Sequence, residues 1–343
     1  MSHRCQAMTE RPAGSFVHRH AAHCESGTLD ALLRDRGLDL TESMLFGIGG
    51  GLFFLHTGLI KVGGMPLTSY RGAPLSIARN ACRRLGIPMR YQHFRKPRDA
   101  QAALDSLLAA GVSVGLQTCV YWLPYFPDDM RFQFNAHNLV AVARSEEGYL
   151  LSDPVFEDMV TCSADALQRA RFARGAFAPR GLIYYPESIP KELPLARAIR
   201  QALRHTCRQM LDIPVLPIGI RGMHRLARQL AQWPQKFGDK RARAYIANVI
   251  RMQEEIGTGG AGFRFMFAAF LQEASTVIDQ PLLGELSTTM TAIGDQWRRF
   301  AVAGARLCQG ADSGTGAWTL LAAMVEDCAT AEEQLFRRLR AAL

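Results

Sequence analysis

Apolar positions in the first half of the chain recur at helical spacing before giving way to strand patterns. From Thr28 to Arg36, leucines at 29, 32 and 33 share one helical face, and Gly37 is a suitable stop. Ala73 to Leu85 predicts a second helix, ended by Gly86-Ile87-Pro88. Asp99 to Ala110 predicts a third, with Leu104, Leu107 and Leu108 on one face and Gly111 after it. Val112 to Trp122 is apolar and rich in branched and aromatic residues, the composition of a buried strand. In Asn138 to Arg144, Leu139, Ala141 and Ala143 alternate with Val140 and Val142, which predicts a strand buried on both faces. Ser145-Glu146-Glu147-Gly148 has turn chemistry, so Tyr149 to Ser152 should return antiparallel.

Pro186-Glu187-Ser188-Ile189-Pro190-Lys191-Glu192-Leu193-Pro194 reads as a boundary. Beyond it the pattern is helical throughout, in segments near 195–212, 218–232, 238–256, 263–278, 282–306 and 315–340, broken by Gly or Pro. A length of 343 residues favours two domains. The expected organisation is an α+β domain over 1–186, helices packed on an antiparallel sheet, then a linker over 187–194 and an all-α domain over 195–343.

Composition adds limits. Hydrophobic content of 48% with 21% charged residues describes an ordinary globular protein. Residues 1–14 lack the apolar core of a secretory signal. The most apolar run, Met44 to Ile60, is interrupted by four glycines, His56 and Gly58, so it predicts buried core rather than a membrane span. Cytoplasm is the expected compartment. The eight cysteines (5, 24, 82, 119, 162, 207, 308 and 328) show no CxxC pairing and no metal-ligand rhythm, which predicts mostly buried free thiols. Net charge is +9, and its excess clusters. Lys191 to Arg243 holds twelve Lys or Arg against three acids, and Arg79 to Arg98 holds seven against none. Such surfaces attract acidic partners. No helix-turn-helix, zinc finger or aromatic RNA-binding signature accompanies the charge, so nucleic acid is not expected.

Three residues carry candidate chemistry. Cys24, in His23-Cys24-Glu25-Ser26, lies just ahead of the first amphipathic stretch. His137, in Asn135-Ala136-His137-Asn138, opens a strand. Asp153, in Ser152-Asp153-Pro154, closes the next one. Thiol before a helix, histidine opening a strand and acid one hairpin later is the chain order of a papain-like cysteine catalyst. A helix N-terminus and an imidazolium both favour the thiolate. Glu25 would oppose it unless its side chain points outward. An acid facing the imidazole fixes the tautomer and stabilises the cation. His18, His20 and His23 crowd the same segment but lack a carboxylate or cysteine pair at fixed spacing, so no metal is expected. Gly257-Thr258-Gly259-Gly260-Ala261-Gly262 fits G-x-G-x-x-G but follows a helical stretch, which argues against a dinucleotide fold. Gly259 and Gly260, with Arg264 in the first turn of the next helix, could still receive a phosphate or carboxylate, or simply break two helices.

With "HCESGTL" at 23–29, "TESMLFGIGGGLFF" at 41–54, "YWLPY" at 121–125, "AHNLVAVARSEEGYLLSDP" at 136–154 and "GTGGAGFRFMFAAFLQEA" at 257–274, the chain resembles the butirosin-biosynthesis protein H family. The resemblance implies a papain-like cysteine acyltransferase domain with an accompanying helical domain. It implies an acyl group carried as a thioester on the phosphopantetheine arm of an acyl carrier protein, moved to Cys24 and passed to an amine or similar small-molecule acceptor, with no further cofactor. Cys24 would be the nucleophile, His137 the general base and acid, and Asp153 its orienter. The acidic carrier would suit the basic segments 79–98 and 191–243. Independently of the resemblance, a homodimer is a candidate assembly. Two departures stand out. His18 or His20 stands where related enzymes keep a glutamine for the oxyanion hole, and Cys119 precedes "YWLPY" where an acid is expected. Tyr121 in that motif is a candidate substrate contact. Two other enzyme readings use the same residues, a thioesterase or cyclase and a peptidase or amidase, whereas the intact Cys24, His137 and Asp153 argue against a third reading, a non-catalytic ligand or carrier-binding module.

Overall fold

The computed structural model describes residues 16–310 and 314–343. In chain order the first elements are α1 (Cys24–Arg34), α2 (Glu42–Gly49), the hairpin β1 (Leu52–Val62) and β2 (Met65–Arg71), α3 (Ser76–Leu85), β3 (Met89–Gln92), α4 (Pro97–Ala109) and β4 (Val114–Thr118). β5 (His137–Ser145), β6 (Gly148–Ser152), β7 (Val160–Cys162), α5 (Ala164–Arg171) and β8 (Ile183–Pro186) follow. The remainder is helical: α6 (Leu195–Leu211), α7 (Gly219–Leu230), α8 (Trp233–Phe237), α9 (Asp239–Glu254), α10 (Arg264–Val277), α11 (Pro281–Cys308) and α12 (Thr315–Ala341). Each of the six expected helical segments forms within a few residues of its expected bounds. Among the described residues no helix is long and apolar enough to cross a membrane.

The chain folds into two compact units. The first comprises residues 16–40 and 88–189, and the second comprises Thr41–Ile87 and Pro190–Leu343. The chain thus leaves the first unit inside the expected linker, but the segment 41–87 belongs with the second unit rather than with a continuous domain over 1–186. Packing gives the reason. On α2, Phe46 stacks on Phe263 with ring centroids 5.0 Å apart. On β1, Phe54 lies against both Tyr70 of β2 and Trp297 of α11. A chain of buried aromatic rings therefore ties 44–70 to the helices. The second unit is consequently helical with one β-hairpin, not purely α. The apolar run 44–60 is buried only in its first part: beyond Thr57 the hairpin projects, and Leu59 is 93% exposed.

The first unit is the α+β fold expected of a papain-like enzyme, with an antiparallel sheet in the order β3-β8-β4-β5-β6-β7. Its core joins Leu104 and Leu108 of α4 to Val114 and Leu116 of β4, Leu139 and Ala141 of β5, and Leu151 of β6. β4 is shorter than the expected 112–122. After Thr118 the chain turns into a single 3₁₀ turn over Val120–Trp122. Gly115 of β4 is required by packing, since a Cβ there would lie 2.5 Å from the Tyr184 ring of β8.

Candidate active site

β5 is a central strand, paired with β4 on one side and β6 on the other. His137 is its first residue and pairs with Thr118. Across the hairpin, Val140 pairs with Ser152. That antiparallel register sets Asp153, the residue after β6, close to the strand end where His137 stands. The segment before β5 is pinned by Asn135, whose side-chain amide donates to the carbonyls of Arg174 and Ala176 at 3.1 and 2.9 Å. Beyond His137, Asn138 donates to Ala136 O and accepts from the Tyr184 hydroxyl. The imidazole is thus mounted on backbone fixed on both sides.

Cys24 is the first residue of α1, with His23 as N-cap. The helix packs against β5 and approaches the Asp153 turn closely: a Cβ on Gly27 would lie 2.5 Å from Ala21 Cβ and 2.9 Å from Pro154 Cβ. The Ala21 N–H donates to Pro154 O at 2.8 Å, stitching the entry to α1 onto the same turn. Cys24 is 9% exposed. Its sulfur lies 4.0 Å from Ala136 O and its thiol is hydrogen-bonded to the His137 side chain.

His137 Nε2 lies 2.7 Å from Asp153 Oδ2. With that nitrogen engaged, Nδ1 is the one left for sulfur. Asp153 is fully buried and held from two further sides, by the Tyr125 hydroxyl at 2.8 Å to Oδ2 and by the Val155 N–H at 3.1 Å to Oδ1. Burial opposes a charge on His137, but the Asp153 carboxylate and the Cys24 sulfur outweigh it and raise the imidazole to about 10. Burial, then the neighbouring carboxylate, hold the Tyr125 phenol well above its usual range, so it remains a donor. The Phe126 ring packs edge-on against the His137 ring, 5.4 Å between centroids.

Cys24, His137 and Asp153 therefore come together, with thiol and acid on opposite sides of one imidazole. A helix-borne thiol, a strand-borne imidazole and an acid at the end of the adjacent strand make a papain-like cysteine-enzyme site. Tyr125 and Phe126 were missed as site residues, although Tyr125 closes the "YWLPY" motif. The signal available was an aromatic pair just before the histidine strand, which core packing explained equally well.

The remaining candidates are placed otherwise. Both ring nitrogens of His18 are engaged, one with Ser152 Oγ at 2.7 Å and one with Phe156 O at 3.0 Å. His18 thus braces the chain beside Asp153 and is not the second oxyanion donor. Tyr121 is 45% exposed in the 3₁₀ turn, edge-on to Trp122. Glu25 does not point outward: it is fully buried, and its charge is felt by Tyr184. The histidines 18, 20 and 23 do not converge, and among the described residues no three His, Cys, Asp or Glu side chains gather as a metal site.

Gly259, Gly260 and Arg264 lie in the second unit, and the expected anion site there is already filled from within. Arg264 is wholly buried and donates through Nε and Nη2 to both oxygens of Glu332 at 2.9 and 3.0 Å, and through Nη1 to Gly262 O at 2.8 Å. Glu332 also accepts from Trp297 Nε1 at 2.7 Å. The glycine loop receives a carboxylate of its own chain, since the Ala261 N–H donates to Glu254 at 3.1 Å. Arg264 thus serves the packing of α10, α11 and α12, and the loop is a break between helices.

The sequence model described as butirosin biosynthesis protein H, N-terminal, matches residues 23–154, beginning one residue before Cys24 and ending one after Asp153. Residues 23–154 are thus similar to the N-terminal domain of the butirosin biosynthesis protein H family. A second model, a domain of unknown function (DUF4872), matches residues 165–339, more than half of the chain. No curated protein matches. Among solved structures, a C39-like peptidase from Bacillus anthracis aligns over 51% of this chain and 96% of its own, with 14% identity and a TM-score of 0.32.

Proposed function

We propose that this protein is a cysteine acyltransferase of natural-product biosynthesis, using Cys24 as nucleophile, His137 as general base and acid, and Asp153 as orienter. The observation that carries the reading is the hydrogen-bonded line from the Cys24 thiol through His137 to Asp153, assembled at the N-terminus of α1. Two favourable fields act on the sulfur, the helix dipole and the imidazolium, and both work against the buried Glu25 beside it. The donor is an acyl thioester on the phosphopantetheine arm of an acyl carrier protein.

In the first step the Cys24 thiolate attacks the thioester carbonyl. The carbonyl π electrons move to oxygen, then return as the bond to the pantetheine sulfur breaks. His137 delivers its proton to that leaving thiolate. In the second step an acceptor amine attacks the Cys24 thioester, neutral His137 takes the proton from nitrogen, and Cys24 leaves as thiolate. The product is an amide, and the ion pair of Cys24 and His137 is restored. Asp153 keeps its charge throughout and holds Nε2–H, while Tyr125 holds Asp153.

The burial of Cys24, His137 and Asp153 favours transfer over hydrolysis, because a thioester held where water has little access survives until the amine arrives. An acidic carrier also suits the basic segments 79–98 and 191–243. The proposed setting is the cytoplasm, with carrier protein and amine as partners. The test is to supply a carrier-bound acyl thioester with a panel of amines and analyse the products. Amide formation dependent on Cys24 supports transfer, whereas free acid alone at every amine concentration assigns a thioesterase.

A further inference from the structure

The second unit contains a cavity of about 480 Å³ lined by Arg83, Arg84, Gly86, Pro194, Arg197 and Gln201. It forms where the C-terminal end of α3 meets the start of α6, so residues of both basic clusters line one concave surface, and no carboxylate is among them. Among the described residues none of the three arginines makes an ion pair.

Ordinary helix electrostatics accounts for part of this arrangement. Arg83 and Arg84 sit in the last turn of α3, where the dipole favours cations. Arg197 is on the wrong side of that rule, in the first turn of α6, which contains no acid. Arg84 is half-buried and held by donation to Ile48 O, while Arg83 donates to Asn80 Oδ1 at 2.8 Å. Burial and then the Arg83 charge lower Arg84 to about 10. His205, on the next turns of α6, is lowered to about 4 by burial and then by Arg84, Arg208 and Arg83. Uncompensated positive charge is therefore concentrated around a concave site, with Arg84 held in place by its bond to Ile48 O.

Planar guanidinium forks gathered around one concavity match the tetrahedral oxyanion of a phosphoryl group, which two or three arginines can hold through paired hydrogen bonds. We propose that this cavity binds a phosphoryl group, with Arg83, Arg84 and Arg197 as the charged donors and Gln201 as a neutral one. The group belongs either to a free phosphorylated molecule or to the phosphodiester of a phosphopantetheine arm, and both present the same chemistry. The site does not depend on acyl chemistry at Cys24.

The experiment is calorimetric titration of the full chain with inorganic pyrophosphate, using wild type, Arg197→Glu and Arg83→Gln. Wild type should bind, and each variant should bind about tenfold more weakly, the loss expected for one charge-assisted contact. Both side chains are exposed, and an unchanged thermal unfolding curve verifies that each variant is folded. Absence of pyrophosphate binding to wild type, or equal binding by all three proteins, overturns the proposal. Competition then separates the sources. Displacement of pyrophosphate by coenzyme A but not by a phosphopantetheine-bearing carrier assigns a free molecule, and the reverse assigns the tethered arm. Loss of this site would leave transfer through Cys24 untested by it, and an inactive Cys24 would leave pyrophosphate binding intact.

Discussion

The Tyr125 hydroxyl donates to the same Asp153 oxygen, Oδ2, that faces His137 Nε2, at 2.8 and 2.7 Å. Two donors converging on one carboxylate oxygen fix its direction. Tyr125→Phe removes one donor and keeps the ring against Phe156 and Phe126. A buried hydrogen bond to a charged group contributes about 1.5–3 kcal/mol. Acyl transfer should therefore slow by roughly ten- to a hundredfold, with the protein still folded, as single-turnover kinetics and circular dichroism would establish.

His137 makes stability depend on pH. Its folded value is raised, to about 10 against an ordinary 6.5. The sign follows: the folded state holds the proton more tightly, so the stabilisation is fully present below the unfolded value and is lost as pH rises from about 6.5 through about 10. Denaturant unfolding of wild type and of His137→Gln at several pH values should show the wild-type advantage shrinking over that window. An advantage that grows with pH would contradict the assignment.

Gly27 lets α1 lie against the turn that carries Asp153. Gly27→Val places methyl groups into Ala21 and Pro154, and overpacking of this kind costs about 1–3 kcal/mol. Thermal unfolding should shift down accordingly, and activity should fall with it, because the displaced elements bear both Cys24 and Asp153.

Arg264 and Glu332 are a fully buried pair. Arg264→Met alone leaves a buried carboxylate uncompensated, at a cost of about 3–5 kcal/mol, whereas the double change Arg264→Met with Glu332→Leu should recover much of the loss. Urea unfolding of the two variants checks this. A double variant no more stable than the single one would contradict the pairing with Glu332 as the role of Arg264.

Much of this arrangement was legible in the sequence because it is local. The helices of 195–343 follow from apolar spacing and Gly or Pro breaks, and the pairing of β5 with β6 follows from a short turn with strong turn chemistry. That pairing brought His137 and Asp153 together, and Cys24 joined them through its position before a helix. Non-local facts were not legible. The allegiance of 41–87 to the second unit depends on Phe46 meeting Phe263 and Phe54 meeting Trp297, across some two hundred residues. The partner of Arg264 lies 68 residues away on another helix. Nothing in a glycine-rich string reveals that its amide already has the carboxylate of Glu254. Likewise His18 looked available because Ser152 and the Phe156 carbonyl approach it only in the folded chain.

The central claim is a covalent acyl-enzyme on Cys24. Its most direct test is intact-protein mass spectrometry after mixing the protein with a panel of acyl-carrier-protein thioesters. The account predicts a mass increase equal to one acyl group, released by hydroxylamine and absent in Cys24→Ala. No adduct from any thioester while Cys24 alkylates readily, or an adduct that persists in Cys24→Ala, would contradict it.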